Sequence, residues 1–221
     1  MLKINELGKT NSILNNFISE IRNVDIQNDR MRFRSNLQRI GEMMAYEISK
    51  TLDYKPVNIT TPLGIKEMML PCDDIVLATI FRAGIPMHQG FLGVFDKADN
   101  AFIAAYRKYQ KGDDFNIMVE YCASAALDDK VLILIDPMIA TGSSLILCLN
   151  RLLENGEIHP KSIHLACAIA SKEGVEYVKE NINGIDATLW TVNIDDELTA
   201  KSYIVPGLGD AGDLAYGPKG D

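Results

Sequence analysis

The stretch VLILIDPMIATGSSLILCLNRLLENG, residues 131–156, decides how this chain is read. It opens on five consecutive apolar residues, Val131 to Ile135, a run of strand length that suits burial on both faces of a sheet. It closes on a helical stripe, Leu145, Leu149, Leu152 and Leu153, stopped at Gly156. Between strand and helix stand Asp136 and the turn Ala140-Thr141-Gly142-Ser143-Ser144. Such a turn offers backbone N–H groups and three hydroxyls at a helix N-terminus, where the dipole favours an anion. Gly142 allows positive φ and a close backbone approach. These are phosphate ligands, and without a Gly-Lys-Ser/Thr triplet they suit one monophosphate better than a nucleoside triphosphate. Thr141 and Ser143 could instead simply cap the helix. A cap, however, has no use for an acid at the end of the preceding strand. Asp136 is suited to accept hydrogen bonds from sugar hydroxyls, and phosphate plus hydroxyls suggests a ribose phosphate.

Outward from this stretch the chain repeats the same alternation. IVLATI (75–80), AFIAAY (101–106), SIHLACAIA (162–170) and ATLWTV (187–192) are further apolar runs of strand type, and Val175, Val178 and Ile182 form a second helical stripe after Ser171. Strands alternating with helices predict a mainly parallel, doubly wound α/β sheet with ligands beyond the carboxyl ends of its strands. Earlier, Phe33, Leu37, Ile40, Met44 and Ile48 mark an amphipathic helix between Asp29, its predicted cap, and Leu52. Val57, Ile59 and Thr61 alternate before Pro62-Leu63-Gly64, and an apolar run resumes at Met68 to Leu70, so a β-hairpin arm is expected. At 221 residues the chain reads as one domain. Residues 1–30 form an N-terminal extension, 107–127 a lid, and 203–221 a C-terminal segment.

Composition narrows the function. No apolar run approaches the roughly 18 residues of a membrane span, and the N-terminus has no signal or transit pattern, so a cytoplasmic location is expected. Cys72, Cys122, Cys148 and Cys167 form no CxxC pair and the three histidines complete no metal-ligand spacing, so buried reduced thiols are expected and no protein metal site. With 30 acids against 22 bases the net charge is −8, which opposes non-specific attraction to nucleic acid or an anionic membrane. A polyanionic substrate must then be held locally. Arg82 in Phe81-Arg82-Ala83-Gly84 and Arg107 after Tyr106 both sit at strand ends, on the same edge as Asp136, where a guanidinium can grip phosphate oxygens in pairs. Arg30, Arg32, Arg34 and Arg39 read as solvated charges or salt bridges of the long helix, and the pairs Met43-Met44 and Met68-Met69 as core or interface packing.

The loop Asp136 to Ser144 resembles the signature of type I phosphoribosyltransferases, and IDPMIATGSS, with Pro137 after a single acid, is similar to that of the uracil phosphoribosyltransferase family. The resemblance covers nearly all the chain after Arg30. It implies that Arg82, Arg107, Asp136, Pro137, Met138, Ile139, Ala140, Thr141, Gly142, Ser143, Ser144 and Asp210 bind phosphoribosyl pyrophosphate (PRPP), with Asp136, Arg107 and Asp210 taking part in catalysis. The lid lysines Lys108 and Lys111 receive no contact.

A second motif agrees. Gly207-Leu208-Gly209-Asp210-Ala211-Gly212 satisfies GxGxxG literally, but nine residues after Gly212 leave no room for the helix, strand and acid of a dinucleotide fold. Glycines here serve a tight loop whose backbone groups could match the carbonyl, N–H, carbonyl edge of a pyrimidine. YIVPGLGDAGD, Tyr203 to Asp213, is similar to the family's uracil-binding segment, which implies uracil contacts from Ile204, Gly209, Asp210 and Ala211. The tail Ala215-Tyr216-Gly217-Pro218 departs from the aromatic and Gly-Thr pattern of relatives.

The reaction implied is attack of uracil N1 on ribose C1 as magnesium diphosphate leaves, giving UMP. Mg²⁺ is expected as cofactor, carried mainly by the diphosphate of PRPP. The resemblance further implies a homodimer or homotetramer, and GTP as a candidate effector with no site assigned. A PRPP-binding regulator of messenger RNA and a phosphoribosyltransferase for another base are the competing readings. Acidic charge and Pro137 count against the first, the GLGDAG slot against the second.

Overall fold

The computed structural model describes residues 1–109, 115–154, 156–182 and 186–219, with backbone alone for 106–109 and 115–118. Its central sheet comprises β1 (Leu2–Glu6), β4 (Ile75–Phe81), β5 (Asp99–Tyr109), β6 (Phe115–Ala123), β7 (Val131–Ile135), β8 (Met138–Ile139), β9 (Ser162–Ser171) and β10 (Ala187–Asp195). The order is β1-β10-β9-β7-β4-β5-β6, with β8 also paired to β9. All pairings are parallel except β5 with β6. The expected doubly wound sheet is therefore present, with one antiparallel edge.

Helices cover both faces. α1 (Leu14–Arg22), α2 (Arg30–Ser49), α3 (Gly84–Val94) and α6 (Ala211–Tyr216) lie on one side, and α4 (Ser143–Leu152) and α5 (Lys172–Asn181) on the other. The two cores divide β7 residue by residue: Val131, Ile133 and Ile135 pack with α1–α3, while Leu132 and Leu134 pack with α4 and α5. That division is why the strand is apolar throughout rather than alternating.

From the β4–β7 boundary the chain winds outward in opposite directions, β4 to β5 through α3 and β7 to β9 through α4. This is the topological switch point, and the crevice it opens lies beyond the carboxyl ends of β4 and β7. Arg82 and Asp136 follow those two ends.

Residues 1–30, set apart in the sequence as an extension, are woven into the domain. β1 pairs in parallel with β10 as an edge strand, and α1 buries Leu14, Ile18 and Ile21. Asp29 caps α2 by accepting from Arg32 N at 3.0 Å. β2 (Tyr54–Thr61) and β3 (Gly64–Pro71) form the hairpin arm, a separate two-stranded sheet with nearly every residue exposed. Within 107–127, β5 and β6 pair antiparallel, and the tip at 110–114 lies outside the described residues.

The expectation of four buried thiols needs correction. Cys148 and Cys167 are buried, Cys122 is half-buried and Cys72, at the foot of the exposed arm, is open to solvent. Met44 packs in the core, whereas Met43, Met68 and Met69 are exposed. No helix among the described residues is long and apolar enough to cross a membrane.

Candidate active site

A cleft of about 690 Å³ lies at the switch point. One wall is the turn after β7. Its backbone is fixed from β9: Asp136 N donates to Ala166 O at 3.1 Å, and Pro137 O accepts from Ala168 N and Ile169 N at 3.0 and 3.1 Å. Ser171 Oγ, at the end of β9, donates to Ala140 O at 2.5 Å while accepting from Gly174 N at 2.8 Å. The same hydroxyl thus caps α5 and pins the turn. Gly142 sits at φ 77, and a Cβ built there would lie 2.7 Å from Gly174 O. The turn is therefore packed backbone to backbone against the start of α5, which only glycine permits at this position.

The helix caps bear on the two readings of the hydroxyls. Gly142 is the N-cap of α4 and no side chain among the described residues caps its amides. Thr141 Oγ1 and Ser143 Oγ bond to each other at 2.7 Å instead. Among the described residues the first turn of α4 therefore has no side-chain cap, and a helix N-terminus of that kind suits an anion.

Asp136 is half-buried at the end of β7, and burial pushes its carboxyl up to about 7, offset in part by a weak 3.4 Å bond from Met138 N. Below it, burial drives the Cys148 and Cys167 thiols up to about 12, with the Asp136 charge adding to the effect. Both are inert at neutral pH.

The facing wall comes from the chain's end. β11 (Glu197–Leu198) pairs antiparallel with β12 (Ile204–Val205), and the chain then passes Gly209 into α6, which is capped by Asp210 Oδ1 accepting from Asp213 N at 3.0 Å. Arg82 reaches across from the β4 loop, with Nη2 2.9 Å from Asp213 Oδ1 and Nη1 3.2 Å from Gly217 O. A Cβ on Gly212 would lie 3.2 Å from Asp210 Oδ1 and 3.4 Å from Arg82 Nη2. Arginine and acid therefore crowd the same backbone turn.

Of the sequence-predicted residues, Arg82, Asp136, Pro137, Met138, Ile139, Ala140, Thr141, Gly142, Ser144, Gly209, Asp210 and Ala211 all line the cleft. Ser143 and Ile204 stand back from it: Ser143 bonds to Thr141, and the Ile204 side chain is 5% exposed within the core. Ser202 and Tyr203 line the cleft just ahead of Ile204. The Arg107 side chain lies outside the described residues, although its backbone is on β5 opposite Ile117.

Other residues of the site escape a reading of the sequence. Ser171 supports the turn across 31 positions of chain, a distance that leaves no local signal. Glu120, Asp213 and Lys219 bring charge to the cleft from β6 and the tail. Arg34, read as a surface charge of α2, donates to Ala215 O at 2.7 Å and lies over the Tyr216 ring. The tail that departs from relatives is thus held down by Arg34 and Arg82.

Among the described residues no three His, Cys, Asp or Glu side chains converge as a metal cage. Carboxylates do line the cleft, from Asp136, Asp210, Glu120 and Asp213, the last paired with Arg82. That set fits Mg²⁺, which is commonly held by one or two carboxylates together with substrate phosphates.

A family model described as uracil phosphoribosyltransferase matches residues 9–218. A protein of Porphyromonas gingivalis named uracil phosphoribosyltransferase is 52% identical over 218 residues, covering 99% of this chain and 100% of its own. One of the same name from Methanococcus vannielii is 36% identical over 203 residues, 90% of this chain and 84% of its own. Among solved structures, the AQ2163 protein of Aquifex aeolicus superimposes with a TM-score of 0.84 at 28% identity, covering 97% of this chain and 98% of that one.

Proposed function

The chain belongs to the uracil phosphoribosyltransferase family, and from that premise we propose that it joins uracil to the ribose of PRPP, releasing diphosphate and forming UMP. The observation that carries this reading is the meeting, in one cleft, of an uncapped helix N-terminus behind Asp136 with the backbone turn Gly209–Ala211. The first suits a phosphate, the second the edge of a pyrimidine.

In this reading the α4 amides and the Thr141 and Ser144 hydroxyls bind the ribose 5-phosphate, and the Asp136 carboxylate accepts from the ribose hydroxyls. Arg82 and Arg107 hold the diphosphate as negative charge develops on it. Uracil lies against Gly209, Asp210 and Ala211, beside Ile204. Its N1 forms the new bond to C1 as the C1–oxygen bond to diphosphate breaks, and the N1 proton passes to solvent or to a base such as Asp210. Mg²⁺ would be carried by the diphosphate and would supply Lewis-acid neutralisation of the leaving group, with cleft carboxylates such as Glu120 available to help hold it. The protein's part is mainly to align the two substrates.

We place the enzyme in the cytoplasm, a reducing compartment that suits the free thiol of exposed Cys72. It acts as a homo-oligomer, dimer or tetramer, for which the exposed arm with Leu63 and Ile65 is the leading contact surface. GTP is its candidate effector, and nucleic acid and membrane are not among its partners.

The test is diphosphate release from PRPP and Mg²⁺ with each nucleobase in turn. Turnover selective for uracil supports the reading. Turnover with hypoxanthine or guanine alone, or RNA binding with no turnover on any base, sinks it.

A further inference from the structure

One carboxylate ties the two ends of the chain together behind the cleft. Asp195, the last residue of β10, is 8% exposed. Its Oδ2 accepts from Arg22 Nη1 at 2.7 Å and from Gly207 N at 2.9 Å, and its Oδ1 accepts from Arg22 Nη2 at 2.8 Å. Arg22 Nη1 also donates to Gly207 O at 3.0 Å. The carboxylate therefore takes the N–H of Gly207 and the guanidinium takes its C=O, so both polar groups of one residue are gripped by one bidentate pair. Such charge-assisted bonds are short and directional.

Gly207 has no latitude of its own. It sits at φ 56, and a Cβ there would lie 2.1 Å from Ile204 O. Anchored from α1, from β10 and from the turn itself, it is followed two residues later by Gly209, Asp210 and Ala211. Arg22 and Asp195 do not line the cleft, so neither can touch a substrate held there. What they control is where the turn that does line it begins.

We propose that Arg22 and Asp195 are positioning residues for the nucleobase, acting through Gly207 to set the height and angle of the Gly209–Ala211 backbone. The proposal rests on the reading of that turn as the base-binding wall. A pair serving stability alone would need no contact with Gly207, and buried ion pairs are in general a weak source of net stability. Holding both polar groups of the residue that starts the turn is a geometric service, and it assigns the N-terminal helix a part in base recognition.

The test uses Arg22→Lys, which keeps the charge and loses the fork, and Asp195→Asn, which keeps an acceptor for Gly207 and loses the charge. KM is measured separately for uracil and for PRPP in the full-length enzyme with Mg²⁺, alongside thermal unfolding. Each variant is expected to raise the uracil KM about tenfold, the scale of one charge-assisted hydrogen bond, with the PRPP KM within about twofold of wild type. Should Asp195→Asn not fold, Arg22→Lys carries the test. An equal rise in both KM values, or a loss of kcat that follows the folded fraction with both KM values unchanged, overturns the proposal and leaves the pair a structural tie. Wild-type turnover with a different base would refute the choice of uracil only, and the same KM comparison is then read with that base.

Discussion

Arg82 Nη2 and Asp213 Oδ1 form an ion pair of 2.9 Å across the cleft, joining the loop after β4 to the first turn of α6. The guanidinium proposed to receive a diphosphate is thus already engaged by a carboxylate of the C-terminal segment, so the two walls of the cleft are electrostatically linked. Because the side chains are 33% and 41% exposed, the pair adds at most about 1 kcal/mol to stability. The larger effect to expect is on the proposed grip of Arg82 on the diphosphate. Arg82→Ala is expected to raise the PRPP KM about 10- to 100-fold, the range for hydrogen bonds to a charged group, while shifting the unfolding midpoint little. Steady-state kinetics and thermal melts on the same preparation check this. A large loss of stability with an unchanged KM would contradict it.

Asp136 places function and stability in opposition. Burial raises its carboxyl from 3.8 to about 7 in the folded chain. The unfolded chain therefore releases this proton first, so the group's contribution to stability is fully present below about pH 4 and is lost as pH rises through about 7. Asp136→Asn removes the titration. At pH 8 the variant is expected to be more stable than wild type by on the order of 1 kcal/mol, or about 2–4 °C for a chain of this size, and yet to lose turnover by about 100-fold or more as the ribose loses its acceptor. In wild type, PRPP should bind better as pH rises from 6 to 8 and the carboxylate forms. Melts of both proteins at pH 5 and pH 8 are decisive, since a variant less stable at pH 8 would disprove the burial argument.

Gly142 offers a test of the turn itself. At φ 77, with a built Cβ 2.7 Å from Gly174 O and 3.0 Å from Val178 Cγ2, alanine must either push α5 away or unwind the start of α4. Gly142→Ala is expected to cost about 1–3 kcal/mol from backbone strain and to weaken PRPP far more than uracil, because the α4 amides move while the C-terminal wall stays. Calorimetric titration with PRPP reads the effect, and an alanine variant with native donor affinity would mean that the turn is not the phosphate site.

What the sequence made legible was local, and what it hid was long-range. The strand 131–135 could be read because burial on both faces leaves a five-residue apolar signature, and the turn after it because strand, acid, glycine and helix follow in an informative order. The two-residue turn Pro62-Leu63 likewise betrays the arm. By contrast β1, with the sequence LKINE, pairs only along one edge and keeps a polar pattern that resembles a tail. Ser171 finds Ala140 and Arg22 finds Asp195 only after the sheet has assembled, so nothing near them announces the pairing. Arg34 looks like any outer-face arginine until α6 is laid across α2. Ile204 lies in the segment whose resemblance implied base contacts, but its side chain obeys its hydrophobicity and enters the core. The Arg107 side chain lies outside the described residues, so its expected grip on the diphosphate stays with the proposal.

The pair His164 and Trp190 gives a pH dependence of the sign opposite to that of Asp136. Trp190 Nε1 donates to His164 Nδ1 at 3.0 Å in the buried space between β9 and β10, which requires a neutral imidazole. Burial lowers the imidazole from 6.5 to about 4. The folded state therefore resists protonation that the unfolded chain accepts, and stability is present above about pH 6.5 and lost as pH falls through about 4. His164→Asn supplies an amide acceptor that cannot be charged. It is expected to cost about 1–3 kcal/mol at pH 8 through lost packing but to flatten the decline between pH 6.5 and pH 4. Trp190 is the single tryptophan, so its fluorescence reports the unfolding directly. In wild type the rise from Asp136 and the fall from His164 overlap and partly cancel in this window, which is why the difference between each variant and wild type carries the information. If the His164→Asn curve runs parallel to wild type from pH 6.5 to pH 4, the buried histidine is not the acid-sensitive group, and the search moves to Asp73, whose carboxyl stays below the ordinary carboxylate range because, against its burial, it accepts hydrogen bonds from Lys161 and the Asp53 amide.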